Sequence, residues 1–180
     1  MLKKNLNIKS ITRLNCFTTQ QLKKNLKKDI FKLKNEFWKY NLNNQKEWFK
    51  ENIKKKDLHN CLFSDDKLIG YTCLRRKVLS LSKTEINYLL FDTLIINKKF
   101  KNKQLGTKLM NFNNKMIKKT KLPSFLITRK KIINFYKKNR WKLINKNFFF
   151  LQHKMNNKKF LMGFNFKNKI FNKEKLIVFL

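Results

Sequence analysis

DTLIINKKFKNKQLGTKLM, residues 92–110, is the stretch whose reading decides the rest of the chain. Its opening half is β-branched and apolar without a turn former, so Leu94, Ile95 and Ile96 read as a buried strand. In its closing half Leu105, Leu109, Phe112 and Met116 recur at a helical period. Between the two lies KKFKNKQLG, a basic loop that runs into the helix start and ends on Gly106, one of only three glycines in 180 residues. A strand, a basic turn and a helix start direct main-chain N–H groups and the positive end of the helix dipole at one junction, where an anion fits best. The same pattern also describes an ordinary strand–helix unit in a lysine-rich protein, and local physics leaves both readings open.

Upstream, Ile8, Ile11 and Leu14 permit a short first strand. Thr18 or Thr19 then caps a helix whose apolar stripe is Leu22, Leu26, Ile30, Leu33 and Phe37. A second helix is expected from Asn44, with Glu47 completing a capping box and Trp48, Phe49 and Ile53 on its apolar side. Three antiparallel strands follow at 57–64, 67–78 and 85–96. The first pair is joined by a tight turn at Asp65-Asp66, and Gly70 marks a bulge or a close backbone approach. Downstream, Pro123 interrupts structure before a short strand at 124–128, a helix at 131–139 and a long aromatic strand at 141–151. Residues 160–166 and 176–179 read as edge strands.

Composition bounds the function. With 42% apolar residues and 18 phenylalanines the chain has material for a core and is no disordered polycation. Forty-five Lys and Arg against ten Asp and Glu give a formal charge of +35, which fits a polyanion partner or a plain compositional bias. Only four arginines follow Arg13, and a lysine and asparagine surface is a weaker footprint for RNA than an arginine-rich one, so nucleic acid is not the favoured partner. No acid occurs from Thr93 to Lys173, an acid-free half that would suit a polyphosphate ligand and that a solvated charge run would equally produce. Cys16, Cys61 and Cys73 share no metal spacing, and His59 and His153 have no ligands arranged around them, so reduced cysteines and no metal are expected. The N-terminal MLKKNLNIKSITRL lacks a secretory apolar core, no stretch reaches membrane-spanning length, and a cytoplasmic protein is the simplest expectation. A short basic transit peptide is the alternative.

Residues 96–110 resemble the cofactor loop of the GCN5-related N-acetyltransferases, a Gln or Arg, two variable residues, Gly, one residue, then Gly or Ala. Lys101 falls on the Gln/Arg position, Gln104 on the first glycine and Gly106 on the second. A second segment, NFYKKNRW at 134–141, is similar to the Phe-Tyr-x-x-x-Gly-Phe signature of the same family, with Arg140 on its glycine and Trp141 on its aromatic. The places of an Asn and an Ala that the family often has nearby fall on Arg129 and Ile132. The two motifs stand in the family's order and spacing, and a weaker likeness runs from about residue 8 to 145.

The resemblance implies an α/β chain with the GNAT acyl-CoA N-acyltransferase fold, a mixed, mostly antiparallel central sheet flanked by helices. It implies one domain over 1–180, with 152–180 as a C-terminal extension of the sheet. Acetyl-CoA is the implied cosubstrate. Lys101, Asn102, Lys103, Gln104, Leu105, Gly106 and Thr107 would hold its pyrophosphate, and the main chain of Leu94, Ile95 and Ile96 would align its pantetheine. Gln104 replaces a family glycine, so either its backbone angles are ordinary or the loop is wider. Tyr136 would be the general acid for the leaving thiolate. Asp92 is the first candidate for the base; two and four residues before Leu94 and Ile96, it is expected on their face. Glu85, His59 and a water-mediated route compete with it.

Phe37, Trp38, Tyr40, Trp48 and Phe49 are candidates to shape an acceptor pocket. The pattern of Phe37 to Tyr40, Gln45-x-x-Trp48-Phe49 and the arginine-bearing segment 71–76 looks similar to acetyltransferases of surface-polysaccharide synthesis, which modify amino sugars. The implied reaction is transfer of an acetyl group to a primary amine by direct attack. Alternatives are a protein N-terminal or lysine acetyltransferase with an open peptide groove, and a non-catalytic nucleic-acid-associated protein that keeps the fold. An edge strand or the aromatic C-terminal segment offers a route to a homodimer.

Overall fold

A computed structural model of the chain describes residues 11–81, 84–100, 103–145, 149–151, 159–166 and 176–178. Seven strands form one sheet, with the first four side by side in sequence order. β1 (Thr12–Thr18), β2 (Leu58–Ser64), β3 (Lys67–Leu81) and β4 (Thr84–Ile96) pair antiparallel in sequence order. Asp65 and Asp66 close the β2–β3 hairpin with positive φ at both positions, the geometry that matches the strands' right-handed twist. Next to Gly70 the β2–β3 register shifts, leaving Ile69 unopposed. A Cβ at Gly70 would lie 2.8 Å from the Ile96 side chain, so the glycine serves a close approach at the bulge.

Two helices precede β2. α1 (Lys24–Asn35) and α2 (Leu42–Asn52) cover one face of the sheet, where Ile30, Phe31, Leu33 and Phe49 pack with Cys61, Tyr71, Cys73 and Ile95. Thr18 caps only a single 3-10 turn at Thr19–Gln21, and α1 starts afterwards at Lys24. α2 starts two residues earlier than Asn44 predicts. The cap is Asn41, whose side chain accepts the Asn44 amide at 2.8 Å, an alternative the box reading overlooks because Asn occurs at both places.

On the other face lie α3 (Leu105–Thr120) and α4 (Ile133–Lys138). Met110, Ile117, Ile133 and Tyr136 pack there with Leu89, Phe91, Leu126, Trp141 and Met162. α3 also brings two asparagines into the core. Asn113 accepts from Asn60 and Thr72, while Asn114 accepts the Trp141 indole N–H and donates to the Asn139 carbonyl.

β5 (Ser124–Arg129) joins β4 in parallel at two register positions, Leu89↔Ser124 and Leu90↔Phe125. Beyond them the strands part. The expected strand at 141–151 is broken. β6 (Lys142–Leu143) ends after two residues, and β7 (Phe149–Leu151) pairs in parallel with β9 (Leu176–Val178) in a separate two-stranded sheet. The Trp141 amide bonds to the Tyr136 carbonyl, and its ring stacks on Phe164, so its residue belongs to the helix turn and core and not to a ladder. β8 (Lys159–Phe164), expected at an edge, inserts between β5 and β6 and pairs antiparallel with both. An apolar run buried on two faces reads the same at an edge or inside, and Leu161 and Met162 are fully buried on opposite faces.

Candidate functional site

The site is organised by one extra residue. Cys73 pairs with Thr93 and Leu74 with Phe91, so Asp92 is a bulge on β4 without a register partner. A bulge shifts the alternation of side chains by one. Phe91 points to the α3 face and so do Leu94 and Ile96, whereas Asp92 and Thr93 border a cavity against α1 and α2. The expectation that Asp92 shares a face with Leu94 and Ile96 is therefore corrected, because simple alternation does not count the bulge. Of the trio Leu94, Ile95 and Ile96, only Ile95 packs with α1 and α2.

Beyond Leu90 the β4 edge that faces β5 has no ladder partner. Asp92 as a residue is exposed, yet its side chain is only 23% exposed, so the open part is its main chain. A row of free β4 amides and carbonyls in a gap between two parallel strands is a place for another extended, amide-bearing chain to pair.

Two cavities meet at Asp92 and Trp48. The first, about 420 Å³, is lined by Lys34, Trp38, Tyr40, Asn44, Gln45, Trp48, Asp92 and Thr93. The second, about 460 Å³, reaches the parting of β4 and β5 through Leu90, Phe91, Ile127 and Thr128, and carries Arg75, Arg129 and Lys159. Trp38, Tyr40 and Trp48, three of the five aromatic candidates, thus line the first cavity. Phe49 instead packs inside against Phe31, and Phe37 lies against the same core cluster.

Lys34, Arg75 and Gln45 are buried at these cavities; Gln45 and the segment 71–76 stand in the sequence reading only as parts of a family-like pattern, and Lys34 is missing from it. The Lys34 ammonium lies 4.0 Å from the centre of the Trp48 ring and the Arg75 guanidinium 5.2 Å from it, a cation–π contact from each. Arg75 donates to the Asn52 carbonyl and to its side-chain oxygen, and its Nη1 stands 3.7 Å from Asp92 Oδ2. Burial raises the Asp92 pKa above the usual carboxylate value, while Arg75, Lys34 and Lys77 pull it back. Burial also lowers the Lys34 pKa, with Asp92 opposing that shift. A signal for Lys34 existed in the sequence, since it follows Ile30 by four residues and so falls on the buried stripe of α1.

On the opposite face, the loop after β4 forms a 3-10 turn at Lys98–Phe100 and re-enters at Lys103 and Gln104. Lys101 and Asn102 lie outside the described residues. Gln104 is the N-cap of α3 with φ 55° and ψ 11°, and no side chain caps the helix. The loop is therefore not accommodated by ordinary angles: Gln104 takes the left-handed conformation natural to the glycine it replaces. Arg140, on the other family glycine, does the same with φ 70°. Gly106 needs neither freedom nor space. Its φ is not positive, and an added Cβ would meet only the Phe135 ring at an ordinary 3.7 Å. With Lys103 and Thr107 exposed beside it, the first turn of α3 offers free amides and no acidic residue.

Tyr136 lies on this second face. Its ring meets Phe135 edge-on at 5.3 Å and Phe91 at 6.3 Å, so it sits between the α3 start and the bulged strand. Burial pushes its phenol up to about 12. Tyr136 borders neither cavity at Asp92, and the bulged β4 segment lies between the two groups. His59 is fully buried between the rings of Phe49 and Tyr71, with Nε2 at 2.9 Å from Thr19 Oγ1 and Nδ1 at 2.7 Å from the Tyr71 hydroxyl. Burial and the charges of Lys27 and Lys34 depress its pKa to about 4. Both its nitrogens are engaged away from the cavities, so it serves the core. Glu85, at the far end of β4, lines neither cavity. Among the described residues no group of His, Cys, Asp and Glu is arranged to hold a metal ion.

No family model matches the sequence, and no curated protein does. Solved structures do. ElaA of Escherichia coli superimposes with a TM-score of 0.64 at 10% identity, over 85% of this chain and 99% of its own. An acyl-CoA N-acyltransferase from Pseudomonas aeruginosa gives 0.64 at 13% identity over the same shares. An aminoglycoside 6'-N-acetyltransferase complexed with coenzyme A gives 0.63 at 14% identity, over 83% of this chain and 95% of its own. Likeness at these identities establishes the fold: a mixed, mostly antiparallel sheet flanked by helices, as in the GNAT acyl-CoA N-acyltransferases.

Proposed function

We propose that this chain is an acetyl-CoA-dependent N-acetyltransferase that modifies a primary amine by direct attack. The observation that carries the reading is the gap between β4 and β5, with a bare, acid-free helix start on one face and a carboxylate-bearing cavity on the other. Acetyl-CoA supplies the activated acetyl thioester. The free amides around Lys103, Gln104, Leu105, Gly106 and Thr107 suit its pyrophosphate, and Gly106, which neither conformation nor packing requires, leaves room for phosphate oxygens. The unpaired main chain from Asp92 to Ile96 suits the pantetheine amides.

Asp92 accepts a proton from the incoming ammonium in this scheme. Burial raises its pKa, which makes it a better base than an exposed aspartate, and Arg75, Lys34 and Lys77 oppose that shift. As nitrogen bonds to the acetyl carbon and the carbon–sulfur bond breaks, the Tyr136 phenol donates toward the leaving sulfur. With its pKa near 12 it holds its proton through the neutral range and acts as a hydrogen-bond donor.

We further propose an amino sugar as the acceptor. The flat faces of Trp38, Tyr40 and Trp48 suit the C–H face of a sugar ring, and the amides of Asn44 and Gln45 suit its hydroxyls. A nucleotide-linked sugar would extend into the second cavity. Among the described residues no helix is long and apolar enough to cross a membrane, in keeping with the proposal of a cytoplasmic enzyme on a small molecule. The test is calorimetric titration at physiological salt with acetyl-CoA and desulfo-CoA, with heparin as the polyanion control. One saturable site for both coenzyme A ligands, with no comparable heparin heat, supports the reading. Absence of a coenzyme A site overturns it in favour of a fold kept for other binding.

A further inference from the structure

The second cavity holds more positive charge than the proposed reaction uses. Arg75, Arg129 and Lys159 border it with Asp92 as the single carboxylate. Asp92 is paired with Arg75 at 3.7 Å and is shared with the charges of Lys34 and Lys77. Arg75 is only 4% exposed, and so is a charge built into the interior, while Arg129 and Lys159 add their charge at the open rim.

The far wall repeats the pattern by an independent route. Arg129 and Lys159 stand directly opposite each other in the β5–β8 register. Like charges directly across an antiparallel pair destabilise it. Among the described residues the ion pairs are Arg13–Asp66 and Arg75–Asp92, so no carboxylate relieves this one. The same wall includes Thr128, 5% exposed, whose buried hydroxyl has no hydrogen-bond partner. Three cations and an unsatisfied hydroxyl around one cavity make a site for an anion.

We propose that this cavity binds an anionic group carried by the acceptor, so that the substrate is an amine that also bears a phosphate or a carboxylate. The proposal rests on the N-acetyltransferase reading for the position of the amine. That amine lies at Asp92, where the two cavities meet, and the anionic group lies toward Arg75, Arg129 and Lys159. Arg129 and Lys159 are exposed at strand ends, so both can be changed without opening the core.

The experiment compares the wild-type chain with Arg129→Gln/Lys159→Gln and with a charge-matched control, Lys28→Gln/Lys32→Gln, on the exposed side of α1. Acetyl transfer is measured for galactosamine 1-phosphate against galactosamine, and for 6-aminohexanoate against hexylamine. Wild type and control are expected to favour the anionic member of at least one pair in kcat/KM by about tenfold or more, the strength of charge-assisted hydrogen bonds. The cavity double variant is expected to lose that preference while its affinity for coenzyme A is unchanged. The pair that shows the preference identifies phosphate or carboxylate. Equal use of neutral amines, or a preference that survives the double variant, overturns the proposal. A parallel loss of coenzyme A affinity also overturns it, since the anion would then be the cofactor's.

Calorimetry with inorganic phosphate reads the same cavity without turnover. Binding weakened about tenfold in the cavity variant alone supports the anion site even if no amine is acetylated, which would sink only the activity. Equal phosphate affinity in all three proteins removes the site whatever the activity.

Discussion

Replacing Arg140 with glycine should make the protein more stable. Arg140 follows α4 with φ 70°, its amide bonds to the Lys137 carbonyl, and its side chain is exposed. A side chain in the left-handed region costs about 1–2 kcal/mol, and glycine there returns about 0.5–1 kcal/mol of that through the greater freedom of the unfolded chain. The net gain is about 0.5–1 kcal/mol, or roughly 2 °C in Tm for a chain of this size. Gln104→Gly, at φ 55°, should add a similar increment. Removing a cation from a chain of charge +35 also relieves repulsion, and Arg140→Ala separates the two effects. Alanine loses the charge but keeps the Cβ that strains the backbone. Thermal and urea unfolding of the wild type, Arg140→Ala and Arg140→Gly decide the matter. If glycine is no more stable than alanine at 140, the argument from left-handed strain is wrong.

Gly106→Ala should move stability and binding in opposite directions. The Cβ is tolerated by Phe135 and favours the helix by about 0.5 kcal/mol, whereas coenzyme A affinity should fall; unchanged affinity in titration refutes the phosphate role of this turn. Tyr136→Phe should lower kcat by about 100-fold with little change in coenzyme A affinity, because it deletes a proton donor and keeps the ring contacts with Phe91 and Phe135. A variant with full kcat across pH removes Tyr136 from the chemistry. Asp92→Asn should lower kcat/KM by about 100-fold and abolish the acid limb of its pH profile, which in the wild type should lie above the ordinary aspartate range because burial raises the Asp92 pKa. An acid limb that persists in the variant assigns the proton to water or another group. His59 is held neutral by a pKa near 4, below its unfolded value near 6.5, so its contribution is present above pH 6.5 and lost as pH falls to 4. The loss amounts to about 3 kcal/mol and should shrink in His59→Gln, as read from urea midpoints at pH 7 and pH 4.5.

The sequence displayed most of the scaffold because local rules and the fold agree over most of it. The apolar stripe of α1 from Leu26 to Leu33, the Asp65-Asp66 hairpin and the switch from strand to helix within 92–110 are each set by neighbours in the chain. Failures fall where distant partners decide. Nothing local tells that residues 159–164 slip between β5 and β6, since that position is set by pairing with strands more than fifteen residues away. The bulge at Asp92 is equally silent. Its residue type fits an alternating strand, and only the register with β3, shifted between Cys73 and Leu74, shows the extra residue. Arg75 looks like any strand arginine until Asn52 and Trp48 close over it.

The bulge also explains how β4 keeps its apolar residues against α3 on both sides of Asp92. In an unbulged strand Asp92 and Phe91 would still alternate, but the residues after Asp92 would exchange faces, taking Leu94 and Ile96 away from α3 and Ile95 away from α1 and α2. The inserted residue lets the strand keep Phe91, Leu94 and Ile96 against α3, with Tyr136 beyond Phe91, while Asp92 turns to the cavities of α1 and α2. It thereby separates the face suited to a phosphorylated cofactor from the face suited to an amine, with open main chain between them. Deleting Asp92, which has no partner on β3, should then cost its carboxylate and little else. Deletion closes the bulge and leaves Thr93 opposite Cys73 and Leu94 to Ile96 on their present faces, so it should retain both the fold and the affinity for coenzyme A, as Asp92→Asn should. Loss of stability and cofactor affinity in the deletion variant alone would show that Asp92 is a ladder residue and not the inserted one.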